Sequence, residues 1–136
     1  MTYVHLTSKS DLPDVSLLRP FRAVVVVEDE ILPERQALIS QWLVQSGCLY
    51  MMAWGKECSS WDDAVDLANL EEFNFRDVPE DACVMTTWHE SESLKEVFWF
   101  CKNSAFHPTV ELTNNLVLHL ASNSGEEELT SEFADA

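Results

Sequence analysis

Glycine is scarce in this sequence, with only Gly47, Gly55 and Gly125 among 136 residues. Three isolated glycines exclude the usual phosphate-cradling loops of dinucleotide and nucleoside-triphosphate sites, which need several at fixed spacing before a helix. Lys56 follows a single glycine and lacks the rest of such a loop. Bases are scarce too, eight against 24 acids, for a formal net charge of -16. That balance disfavours nonspecific attraction to nucleic acid or an anionic membrane, and it would steer a basic protein partner inward. No apolar run approaches membrane-spanning length, and the opening MTYVHLTSKSDLPD lacks the apolar centre of a signal peptide. Paired cysteines are missing as well. Cys48, Cys58, Cys83 and Cys101 lie far apart, with neither zinc-knuckle nor dithiol spacing. A reducing cytoplasm is the expected location, with no cofactor; the sequence does not address self-association.

What is present reads as one domain with one hydrophobic core, since 46% of the residues are apolar. Residues 1–20 read as an N-terminal extension with a candidate short strand at Tyr3 to Leu6, interrupted by Pro13 and Pro20. Residues 21–121 read as the folded α/β domain, and residues 122–136 as an acidic, flexible tail. Within the domain, Phe21 to Glu28 contains four consecutive valines without alternation, the mark of a strand covered on both faces. Pro33 suits the first turn of a helix and Gly47 its left-handed end. Cys48 to Trp54 is a second continuous apolar run, stopped by Gly55. Trp61, Ala64, Val65 and Ala68 then give a helical stripe, with Ser60 and Asp63 spaced as a capping box. After a loop from Glu71 to Asp81, Ala82 to Trp88 is a third strand. Ser93 and Glu96 open a helix whose stripe runs Leu94, Val97, Phe98, Cys101 and Ala105. The second half of Thr109 to Leu120 is a fourth strand, placed at an edge.

This alternation predicts a small, mostly parallel sheet of about four strands with helices on both faces, Rossmann-like in layering but without a dinucleotide motif. In such folds the usable crevice lies beyond the carboxyl ends of the strands. Three stretches would gather there: Glu28-Asp29-Glu30, Gly55-Lys56-Glu57-Cys58 and Trp88-His89-Glu90. One reading makes Cys58 a nucleophile near a helix start, with His89 as base and Glu90, Asp29 or Glu28 as orienting acid. Neighbouring carboxylates oppose thiolate formation there. A metal reading would take Asp29, Glu57, Cys58 and His89 as ligands, donors spread over three loops rather than a local ligand pair. Glu28 and Asp29 could alternatively meet magnesium.

The reading preferred on sequence grounds is a non-enzymatic interaction module, an inhibitor, immunity protein or accessory that binds a basic protein surface. Its polar face would comprise Glu28, Asp29, Glu57, Asp62, Asp63, His89 and Glu90, with Trp54 or Trp88 supplying desolvated contact. The alternative is a small hydrolase or transferase, cysteine-dependent or metal-assisted, using Cys58 and His89. Trp42, Trp61 and Trp99 fall in or beside helical stripes and read as core. Nucleic-acid mimicry would need charges repeated along one face, and the sequence offers density without that repeat. The phrases CLYMMAWGKECSSWDDAVD, VMTTWHESESLKEVFWF and HPTVELTNNLVLHL resemble a small bacterial family of unassigned function over about residues 20–120. The resemblance implies a bacterial cytoplasmic protein and carries no activity or catalytic residue with it.

Overall fold

Four valines in a row cannot alternate between core and water. In the computed structural model, which describes residues 1–136, every residue of Phe21–Val27 is buried. This strand, β2, lies at the centre of a five-stranded parallel sheet. The other strands are β1 (Thr2–Leu6), β3 (Cys48–Gly55), β4 (Met85–His89) and β5 (Asn114–Leu120), in the order β1-β5-β2-β3-β4. Helices α1 (Pro33–Ser46) and α2 (Ser59–Glu72) cover one face, where Ile39, Leu43, Trp61 and Val65 meet Ala23, Val25, Met51 and Leu118. Helices α3 (Leu94–Asn103) and α4 (Glu126–Asp135) cover the other, where Val97, Phe98, Leu129 and Phe133 meet Val24, Val26, Met52 and Val117. None of the helices is long and apolar enough to cross a membrane.

Local signals act where expected at two helix ends. Gly47 ends α1 at φ 102, in the left-handed region, and Ser93 with Glu96 forms a reciprocal capping box on α3. At α2 the Ser60–Asp63 box does not form. The helix starts at Ser59 after Cys58, without a side-chain cap, because the Ser60 hydroxyl donates to Glu57 O at 2.7 Å and accepts from Gln36 at 2.9 Å. The strand expected from Ala82 begins instead at Met85, after a short 3-10 turn over Glu80–Ala82.

Four expectations are corrected by packing. The N-terminal segment is no extension, because β1 pairs along its whole length with β5. That pairing makes β5 an interior strand, flanked by β1 and β2. The C-terminal segment is no flexible tail: α4 presents Leu129 and Phe133, four apart, to the second core, and Phe133 stands edge-on to Phe98. Trp61 is buried as expected, whereas Trp99 faces outward at 54% exposure, since its neighbours Phe98 and Cys101 take the inward face of α3.

Candidate functional site

Because all strands are parallel, Glu28 and Cys58, in the loops after β2 and β3, and His89, the last residue of β4, lie at one edge of the sheet. Val27 is level with both Gly55 and Leu120, and Trp54 is level with His89. The connections switch faces between the parallel neighbours β2 and β5, since β2 leads to α1 on one face and β5 to α4 on the other. Such a switch point is where open α/β sheets place their crevices. Here the amides of Glu28 and Asp29 both donate to Leu120 O, at 2.9 and 3.1 Å, and draw the two strand ends together. Cavities therefore lie on either side of the junction.

On the α1/α2 side, a cleft of about 700 Å³ is bounded by Asp29, Glu30, Pro33, Lys56, Glu57 and Ser60. Its floor depends on the turn Gly55-Lys56-Glu57. Gly55 has φ 104, and a Cβ there would stand 2.1 Å from Val27 O, so the close approach of the two strands requires glycine. Glu57 also adopts positive φ, 51°, a conformation that costs a side-chain-bearing residue about 1–2 kcal/mol. The chain thus carries a carboxylate at the cleft mouth where glycine would sit with less strain.

The turn does not present an activated thiol. Cys58 is 2% exposed and packs in the first core. Burial pushes its thiol up from the ordinary range, and the Glu90 carboxylate adds to that against an opposing main-chain hydrogen bond at His89. The His89 ring is engaged elsewhere: Nε2 meets Thr87 Oγ1 and Nδ1 meets Glu92 Oε2, each at 2.9 Å, with the ring edge-on to Phe100 of α3. Both nitrogens are occupied on the α3 side while the sulfur lies in the core beneath α1 and α2. The orienting acid is Glu92 rather than Glu90, Asp29 or Glu28. Nor do Asp29, Glu57, Cys58 and His89 converge as ligands, and no three His, Cys, Asp or Glu side chains come together in a way that could hold a metal ion. Asp29 instead accepts from the Ser122 hydroxyl at 3.0 Å.

Residues 1–136 match the profile of a family described as Domain of unknown function (DUF7684). The chain belongs to that family. No curated protein and no solved structure matches it.

In this member of the family the acidic rim is left without basic partners. No lysine or arginine nitrogen lies within 4.0 Å of an aspartate or glutamate carboxylate, and the two ion contacts at that range both involve histidines. Half of the bases are committed to main-chain carbonyls instead. Arg19 donates to Gln45 O, Arg22 to Ala105 O, Arg35 to Thr7 O and Ser10 O, and Lys102 to Phe133 O. They hold loops and helix ends together and leave the carboxylates uncompensated.

One part of the rim lies where α2 crosses the edge strand β4. Asp62 and Asp66 both accept from the Thr86 hydroxyl, which has one proton to give. Burial first, and the Asp62 and Asp63 carboxylates after it, push the Asp66 carboxyl above its ordinary value. Trp88, two residues beyond Thr86, lies on the same side of β4 and is 46% exposed. Trp54 is partly buried, with its indole N–H donated to Glu92 O at 2.8 Å. Of the two tryptophans singled out in the sequence, Trp88 is the free one.

Sequence reading passed over a polar cluster on the α3/α4 side. His119 is 3% exposed, its Nδ1 is 2.7 Å from Tyr3 Oη, and its Nε2 is 3.2 Å from Glu28 Oε2. His5 stacks obliquely on the same ring and bonds through Nε2 to Ala121 O at 2.7 Å. The available signal was period-two alternation, which puts Tyr3 and His5 on one face of their strand; pairing with β5, more than 100 residues away, brings them to His119.

Proposed function

We propose that the protein is a non-enzymatic interaction module of the cytoplasm that recognises a basic protein surface through α2 and the edge strand β4. The observation that carries this reading is an acidic surface on which no aspartate or glutamate pairs with a lysine or arginine, and on which Asp62 and Asp66 crowd one hydroxyl beside exposed Trp88. A cationic side chain arriving there relieves repulsion already present in the fold, while the indole offers area to desolvate. Glu57, Asp63 and Glu90 extend the same field, which acts chiefly on the rate of encounter. The four thiols are unpaired, as a reducing compartment would keep them.

Stopped-flow association with a cationic target protein tests this reading. The triple variant Asp62→Asn, Asp63→Asn, Asp66→Asn is expected to associate about tenfold more slowly at low salt, with the difference shrinking as salt is added. A charge-matched variant at Glu111, Glu126 and Glu127 is the control. Equal slowing in both would reduce the effect to net charge and remove α2 as the recognition surface.

A further inference from the structure

The proposed recognition surface ends on a sheet edge, and that edge restricts what can dock there. β4 pairs with β3 alone, residue for residue from Met85 to His89 and without a bulge. Outside that ladder no main-chain hydrogen bond reaches Met85 to Trp88. In a strand every second residue turns its N–H and C=O away from the neighbouring strand, so the outer side of β4 carries a row of unpaired donors and acceptors.

Proteins commonly blunt such an edge with lysine, proline or a bulge. The sequence Met85-Thr86-Thr87-Trp88-His89 has none of these; its first three residues are partly exposed and Trp88 is exposed. Only negative charge guards it. No lysine or arginine stands between Arg76 and Lys95, whereas Asp77, Glu80, Asp81, Glu90 and Glu92 do, and Asp62 and Asp66 reach Thr86 from α2. That field repels a second copy of this acidic chain and admits a cationic strand. At the opposite edge of the sheet, cations stand at the end of β1: Lys9 follows it, and Arg35 donates to Thr7 O and Ser10 O.

The two faces of β4 dictate a side-chain pattern. Thr86 and Trp88 face α2, with Thr86 bonded to Asp62 and Asp66. Met85, Thr87 and His89 face α3, where Met85 packs on the second core and His89 stands edge-on to Phe100. A strand added beside β4 continues both faces alternately. Its side chains on the α2 face meet carboxylates and an indole, which suit lysine or arginine. Those on the α3 face meet Met85 and Phe100, which suit apolar groups.

We infer that the basic partner docks by adding an extended segment to β4 as a further strand, with lysine or arginine at every second position on the α2 side and apolar residues between them. This rests on the reading of α2 and β4 as the recognition surface and specifies the conformation of what binds there. Main-chain pairing supplies affinity and the alternation supplies register, because a slip of one residue turns the cations to the α3 side.

Titration of the 15N-labelled protein at low salt with acetyl-Lys-Val-Lys-Val-Lys-amide, and with its isomer acetyl-Lys-Lys-Val-Val-Lys-amide, tests the inference. At saturation the alternating peptide is expected to slow amide exchange about tenfold at every second residue of β4 and to shift the Trp88 indole. The isomer, equal in charge and composition, should bind about tenfold more weakly. The pair Asp62→Asn, Asp66→Asn should weaken the alternating peptide and leave the isomer nearly unchanged. Equal binding of the two peptides, or an alternating peptide that binds without slowing exchange in β4, overturns the added strand, as does the absence of saturation at millimolar concentration. Slower stopped-flow association of the α2 triple variant alongside an unprotected β4 would overturn the added strand and leave the α2 surface standing.

Discussion

The two sides of the sheet end at the same edge and treat their polar groups in opposite ways. Beneath α1 and α2 the core runs to the edge, closing over Cys58 and Trp61, and the carboxylates of Glu57, Asp63 and Asp66 are left outside. Beneath α3 and α4, imidazoles and a phenol are drawn in at the same level, with Tyr3, His5, His119 and Glu28 forming one connected group. The difference follows from what each side can satisfy. A thiol tolerates burial as a small hydrophobe, whereas a buried imidazole needs partners, and parallel β1 supplies them through Tyr3. The first side therefore keeps its charges at the surface, and the second draws its polar groups into the interior.

The largest test of this contrast asks whether both sides are equally real layers. Trp61→Ala on the first side and Phe98→Ala on the second should each cost about 3–5 kcal/mol in denaturant unfolding. Phe133→Ala should approach the lower end of that range. A negligible cost for Phe133→Ala would return residues 126–136 to a tail and leave the second side with one helix.

Thiol chemistry sharpens the contrast next. Native-state labelling should modify partly exposed Cys83 first and Cys58 on the order of 100-fold more slowly, through local opening. Rapid, stoichiometric labelling of Cys58 that slows on replacing His89 would reverse the reading of this side. The deeper thiols set an alkaline limit. Burial raises Cys48 to about 12 and Cys101 to about 11 from 9.0. Their contribution is fully present below the unfolded value and lost as pH rises from 9.0 through the folded values, because the unfolded chain ionises first. Thermal melts from neutral pH upward should show this decline, shallower in Cys48→Ala.

Smaller effects probe the rim itself. Glu57→Gly removes a side chain from a positive-φ position and should stabilise the fold by about 1 kcal/mol or less. Asp66→Asn should stabilise it by a few tenths of a kcal/mol at neutral pH, the repulsion being discounted for solvent at a largely open site. The sign follows from the raised folded value. Asp66's contribution is greatest below the unfolded 3.8 and falls as pH rises through the folded value, so at neutral pH the charged group is a burden. Melts of parent and variant should converge toward low pH. A destabilised Asp66→Asn at neutral pH would mean that the Thr86 contact outweighs the crowding.

The alternation of apolar runs with helical stripes determined the layered parallel fold. Continuous burial, as in Val24 to Val27, and three-and-four spacing, as in Leu94 to Cys101, are local properties that only one arrangement satisfies at once. It also determined that Glu28, Cys58 and His89 share an edge. Side-chain roles at that edge were not local. Cys58 and His89 diverge because packing turned one inward beneath α2 and bonded the other to Thr87 and Glu92. Likewise Leu129 and Phe133 stand among acids that read as tail, and only contact with Phe98 gives that helix a surface on which to be stable. The His119 group required β1 to pair with β5, a contact between the two ends of the chain that no local period encodes and only the assembled sheet could decide.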